Sequence, residues 1–305
     1  MKNKASIYTP ILLIVVYLFL AAIRFVPGDV LGMDENPYLA VVILQLLIYV
    51  VPALFYCSAR GRGTSERMRL RLPRPGHILL LVYAAVFLVC GNALISMGMY
   101  QLMPRHFSEA SSFSGASFAM NRGVFDGMYM VVAFAILPAL TEELIFRGIV
   151  VGEYEHYGPG FAIVLSALTF AMSHFNFARL PVYLFSGLVL ALVLYATRSL
   201  AASVIIHSLN NVSVLLLEKY VLHIARKQNI SMLLLVIILV TAAVVSLTLF
   251  CGEAAGIYRG YAEEALPVEY GRGKGRSLFE RLAETCFSPT FLILAVIFIT
   301  ITVTQ

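Results

Sequence analysis

Thr141-Glu142-Glu143-Leu144-Ile145-Phe146-Arg147-Gly148 is the stretch on which the reading of this chain turns. It follows the apolar run Met128 to Leu140 and precedes Ile149, Val150 and Val151. Three ionisable side chains therefore sit near the end of what reads as a membrane helix. Each would cost about 2.5–3.5 kcal/mol at mid-membrane on the insertion scale, and less near an interface. On a helix Glu143 and Arg147 are i,i+4 neighbours and can pair. Glu142, rotated by about 100°, is then a carboxylate without a local partner.

The surrounding composition supports a membrane setting. Of 305 residues, 60% are apolar and only 13% are charged, about half the usual ~25% for soluble domains. Mean hydropathy is +0.86. Continuous apolar runs exclude a transmembrane barrel, which shows ~10-residue alternating segments. The expected fold is all-α: a polytopic transmembrane bundle of about eight to nine helices. About nine candidate segments meet the ~20-residue criterion, at roughly 7–26, 37–57, 77–100, 127–151, 160–177, 180–197, 199–217, 231–251 and 287–304. The first reads as an uncleaved helix, since it is long, carries Arg24 at its far end and lacks a clear small-x-small cleavage site.

Loop charges set the expected orientation. Lys2 and Lys4 precede the first segment, whereas 27–36 holds Asp29, Asp34 and Glu35 with no Lys or Arg. The loop 58–76 carries Arg60, Arg62, Arg67, Arg69, Arg71 and Arg74. The N-terminus and that loop are thus expected in the cytoplasm. The arginines read as topology-setting and lipid-contacting. Helix four then returns inward, with Glu142 and Glu143 toward its cytoplasmic end. One connection disagrees: 218–230 carries Lys219, Arg226 and Lys227 but should lie outside.

The organisation expected is a single integral membrane domain over 1–305. A core over 127–217 carries the motifs, 252–286 is a cytoplasmic loop, and 287–304 is an appended helix. Ser108 to Asn121 reads as a connector, and 252–286, with Gly271, Gly273 and Gly275 among charges, as a solvated loop. The formal charge of +5 is ordinary for a membrane protein above anionic lipid. No motif supports a nucleic-acid partner. Four scattered cysteines suggest neither a disulfide framework nor a zinc knuckle.

Of six histidines, His174 and His207 lie within or at the end of apolar runs; His77, His106, His156 and His223 fall in loops or at helix ends. Phe170 and His174 are i,i+4, as are His207 and Asn211. Ionisable residues inside a bundle face its interior or a water cavity. If helices four, five and seven are neighbours, Glu142, His174, His207 and Asn211 converge. Such a set suits two chemistries. Glu142, His174 and His207 can hold Zn²⁺ with an open position for water. Alternatively Glu142 takes a proton from water, His174 orients that water, and His207 with Asn211 donates to a developing oxyanion. Asn210 reads as a helix-packing hydrogen bonder, and Glu153, Glu155 and His156 as a solvated connector.

Glu-Glu-x-x-x-Arg, then Phe-x-x-x-His, then His-x-x-x-Asn, in order over roughly 127–217, resembles the CAAX-protease and bacteriocin-processing family of intramembrane endopeptidases. The resemblance implies a helical membrane fold with a cavity open to the cytosol. It implies cleavage of a peptide bond near the end of a membrane-tethered or prenylated chain, with the lipid bilayer as the other partner. By the same resemblance Glu142 and His174 activate water, His207 and Asn211 form the oxyanion site, and Glu143, Arg147 and Phe170 support them. The family is described both as metalloprotease and as glutamate protease. The absence of His-Glu-x-x-His and the presence of Asn211 favour the metal-free form, with no cofactor. A multi-pass plasma-membrane protein is expected if the source is prokaryotic. The alternatives are a non-proteolytic scaffold or bacteriocin self-immunity protein that binds a peptide, and a transporter or proton relay. A relay should show repeated halves with discontinuous helices, and the sequence has no such repeat.

Overall fold

The computed structural model describes residues 5–27, 30, 37–61, 63, 67–103, 124–217, 231–264 and 277–304. The acidic loop residues Asp29, Asp34 and Glu35, the connector 108–121, the basic connection 218–230 and the glycines near 273 lie outside the described residues, as do Lys2, Lys4, Arg62, His106 and His223. Among the described residues every regular element is helical. We number the helices α1 (Ile7–Phe25), α2 (Tyr38–Arg60), α3 (Pro75–Leu102), α4 (Gly127–Tyr157), α5 (Pro159–Met172), α6 (Leu180–Thr197), α7 (Leu200–Leu215), α8 (Met232–Glu263), α9 (Leu278–Thr285) and α10 (Pro289–Val303).

All nine expected segments are helices, but fewer span. Among the described residues six single helices are long and apolar enough to cross a membrane, or up to seven if α9 and α10, bent by 70°, count as one. The expected eight to nine is too high because α5 and α7 are short. α5 has 14 residues, or ~21 Å at 1.5 Å per residue, against a hydrocarbon core of ~30 Å. It stops at Met172, before His174, where Phe175 turns left-handed (φ 47°). The protein is an integral, multi-pass membrane protein. Its outer helix faces carry exposed Ile7, Leu18, Leu54, Phe55, Val82, Leu233 and Ile237, the surface that lipid covers.

Two helices widen ahead of a proline. π-helical turns at Leu46–Val50 and Val132–Ile136 each end two residues before Pro52 and Pro138. Proline has no N–H and its ring crowds the carbonyl four residues back. A wider turn absorbs that fault without ending the helix. A third π segment, Leu144–Val150, begins directly after Glu143. There the Phe146 carbonyl accepts a bond from Ser166 Oγ of α5 at 2.8 Å.

The helix ends near 60, 74, 157, 198 and 264 share one face of the bundle. Ser199 Oγ donates to the Arg71 carbonyl, Leu200 N to the Arg69 carbonyl at 3.0 Å, and Arg74 meets Glu264 at 2.9 Å. On this face Glu153 and Glu155 are buried rather than solvated. Arg60 and Arg67 pair with Glu153 at 2.6 and 3.1 Å, and Arg69 pairs with Glu155. The loop arginines therefore clamp the end of α4 instead of serving only as lipid contacts. Met68 and Arg67 lie against Gly148 and Gly152 of the same helix.

α4 runs on to Tyr157, fifteen residues beyond Glu142, about 22 Å along the axis, and the helix is already formed at Val124 on the other side. Glu142 is thus mid-helix, not toward one end as expected. α7 packs across α4, α5 packs on both α4 and α6, and α1 packs against α10. Gly187 sets the α5–α6 approach: a Cβ there would stand 2.7 Å from Ala167 Cα. Gly187→Ala should cost roughly 1–3 kcal/mol through overpacking. Gly98→Ala, with open space at its Cβ, should be neutral or raise stability by about 0.5–1 kcal/mol. Thermal melts in detergent check the pair, and an unchanged midpoint for Gly187→Ala would contradict the packing assigned to it.

Candidate active site

The site is built on three helices and one turn. α4 supplies Glu142, Glu143 and Arg147; α7 supplies His207 and Asn211; the end of α5 supplies Phe170, and the turn after it His174. Glu143 and Arg147 form the i,i+4 pair at 2.7 Å with both side chains fully buried. The same Glu143 oxygen, Oε1, lies 2.9 Å from His207 Nδ1. A carboxylate already paired with a guanidinium is an acceptor, so Nδ1 carries the proton and donates. That fixes the ring and turns Nε2 toward Glu142, whose Oε2 is 3.8 Å away. This gap is too long for a direct hydrogen bond.

Arg147 is held on three sides. It donates to Glu143, to the Gly187 carbonyl at 3.2 Å, and stacks its guanidinium 4.5 Å above the Phe170 ring. Phe170 is 1% exposed and meets Phe146, His174 and His207 edge-on at 5.4, 4.9 and 5.6 Å. One aromatic ring thus touches the arginine and both histidines. Arg147 reaches the Gly187 carbonyl because α5 and α6 lie so close there.

His174 sits in the turn that ends α5, not on the helix. Its Nδ1 is 2.9 Å from the Phe170 carbonyl and, facing an acceptor, is the donor. This caps a carbonyl left free at the helix end. Its ring stacks on Tyr183 of α6 at 3.7 Å. Ser173 Oγ donates to the same Phe170 carbonyl at 2.7 Å, so it is held as a helix-end cap. Asn211 donates through Nδ2 to the Ala135 carbonyl at 3.3 Å. Its second amide hydrogen and Oδ1 are further hydrogen-bonding capacity. Asn210 points elsewhere and accepts from Asn92 Nδ2 at 2.9 Å.

Several contributors escaped the motif reading. Asn92 of α3 bonds Ser186 of α6 as well as Asn210 of α7, tying three helices together behind the site. A lone asparagine in the apolar run 77–100 was the available signal, because a buried amide needs partners. Thr141 donates to Gln45 Oε1 of α2 at 2.9 Å. Gly187 and Tyr183 carry no signature at sequence level.

Among the described residues no three His, Cys, Asp or Glu side chains are grouped as a metal ion requires. For the candidate set Glu142, His174 and His207, both Nδ1 atoms are committed to protein acceptors, which leaves the two Nε2 atoms as ring donors. A cavity of about 190 Å³ lies apart from these residues, lined by Pro159, Ile163, Leu192, Tyr195, Phe250 and Tyr258.

Glu143→Ala would leave Arg147 buried without its anion, a change that costs about 3–5 kcal/mol. Glu142→Ala removes a carboxylate that has no direct hydrogen bond to break among the described residues. Glu143→Ala should therefore lower folded yield and melting midpoint more than Glu142→Ala, as measured on detergent-extracted protein. Equal yields would contradict the anchoring role of Glu143.

Residues 124–213 match the family model described as type II CAAX prenyl endopeptidase Rce1-like. The membrane-embedded CAAX protease MroQ of Staphylococcus aureus (strain USA300) is 36% identical over 84 residues, which cover 25% of this chain and 34% of that protein. The chain thus matches about a third of that curated relative's length. No solved structure matches. The likeness to the CAAX-protease family read from the three motifs is shown over residues 124–213, the segment that holds Glu142, Glu143, Arg147, Phe170, His174, His207 and Asn211.

Proposed function

We propose that the protein is an intramembrane endopeptidase of the glutamate type, which hydrolyses a peptide bond of a membrane-tethered or prenylated chain. The observation that carries this reading is the division of labour between the two glutamates. Glu143 is spent on Arg147 and His207, whereas Glu142 faces His207 Nε2 across 3.8 Å, a spacing a water can bridge.

In this mechanism Glu142 takes a proton from that water as the hydroxyl attacks the scissile carbonyl. His174, aimed by its bond to the Phe170 carbonyl, helps to orient the water. With Nδ1–H on Glu143, His207 can donate from Nε2 only as imidazolium. His207 and the second amide hydrogen of Asn211 then meet the oxyanion. Collapse of the tetrahedral intermediate passes the proton from Glu142 to the leaving amine, so protons balance. A metal ion would need the two Nε2 atoms and Glu142 to draw together, since they are not grouped as one requires; it would then supply Lewis-acid activation of water. The arginine face is taken as cytoplasmic, the side from which a polypeptide tail would enter.

The family match and the relative's printed name support the peptidase class. Glu142→Ala and His207→Ala should each lower kcat by ~10²–10⁴ with insertion and folding intact, and cleavage by wild-type protein should survive chelation. Purified protein cleaving a CAAX-type lipopeptide at the wild-type rate without Glu142 would overturn the mechanism. Activity lost to a chelator and restored by zinc would overturn its metal-free form.

A further inference from the structure

His174 hangs from a turn rather than a helix, so its backbone alone does not fix the imidazole. Two contacts do. Nδ1 donates to the Phe170 carbonyl, which fixes one edge of the ring. The ring face lies on Tyr183 at 3.7 Å with 19° between the planes, which fixes its rotation about that bond. Phe170 closes the other side edge-on at 4.9 Å. The stacked pair is held by dispersion across its faces, and the edge-on Phe170 contact adds quadrupole attraction.

The turn itself is pinned from outside. Phe175, next to His174, adopts φ 47°, a left-handed conformation that is unfavourable for a bulky residue. It is 1% exposed and packs edge-on against Tyr17 of α1 at 5.4 Å and beside Phe298 of α10 at 6.4 Å. The surrounding helices thus hold the turn so that His174 reaches Tyr183. Tyr183 belongs to α6, four residues before the Gly187 whose carbonyl holds Arg147.

We propose that Tyr183 is a positioning residue for His174: its ring, not its hydroxyl, holds the imidazole in the plane from which Nε2 addresses the attacking water. The inference rests on the peptidase reading and adds to it a residue that none of the three motifs contains.

The test uses the full-length protein in detergent or nanodiscs with a fluorogenic prenylated peptide, and compares Tyr183→Phe, Tyr183→Leu and His174→Ala with wild type. Tyr183→Phe keeps the stack and should stay within about threefold of wild type. Tyr183→Leu removes it and should lower kcat roughly 10- to 100-fold, with KM and melting midpoint little changed. If the leucine variant fails to fold, Tyr183→Met, of similar bulk without a ring, takes its place and should show the same loss. A Leu or Met variant at the wild-type kcat overturns the proposal, as does an equal kcat loss in Tyr183→Phe, which would assign the hydroxyl. A change confined to KM also overturns it, because it marks Tyr183 as a substrate contact. Full activity in His174→Ala instead overturns the peptidase mechanism itself, so the two failures are distinguishable.

Discussion

One carboxylate oxygen organises the site. Glu143 Oε1 accepts from Arg147 within its own helix and from His207 across to α7. Burying an arginine in a membrane bundle is tolerable only with an anion beside it. Once Arg147 and Glu143 are committed to each other, the histidine is oriented by the same atom. Its Nδ1 must donate, and its Nε2 must look toward Glu142. The anchor thus leaves one carboxylate and one ring nitrogen available for chemistry.

The remaining architecture keeps that anchor dry and in register. Phe170 lies under the guanidinium and against both imidazoles. Gly187 lets α6 close on α5, so that its carbonyl takes a further Arg147 hydrogen. Asn92, from outside the family-matched segment, ties α3 to α6 and α7. Tyr17 and Phe298 secure the turn that carries His174. On the arginine face, Glu153 and Glu155 fasten the loop from α2 to the end of α4. Helices that carry no motif therefore contribute to the geometry of those that do.

Much of this was legible beforehand, for identifiable reasons. The i,i+4 spacing of Glu143 and Arg147 follows from helix geometry alone, and the pair is present. The apolar runs located every helix but α9, because burial in lipid demands them; 252–286, read as a solvated loop, instead holds the last turns of α8 to Glu263 and all of α9 (Leu278–Thr285), stretches too polar to announce themselves. The position along the helix was misread: counting from the apolar run placed Glu142 near a helix end, whereas α4 continues through Glu153 and Glu155 to Tyr157. Those acidic residues look solvated in sequence, since their arginine partners lie about ninety positions away. The span count was too high for a related reason. The run 160–177 gives no hint that the helix ends at Met172, nor that Phe175 just beyond it turns left-handed against Tyr17 and Phe298. Tyr183 and Gly187 stayed invisible because their roles depend on a close helix approach that no local pattern announces.

The shared oxygen makes a specific demand on one proton, and ¹⁵N-histidine NMR of wild-type protein in nanodiscs, assigned with His207→Gln, reads it directly. A protonated, hydrogen-bonded Nδ1 on His207 that is lost or shifted in Glu143→Gln is the predicted result. A bare Nδ1 with the proton on Nε2, unaffected by Glu143→Gln, would contradict the account.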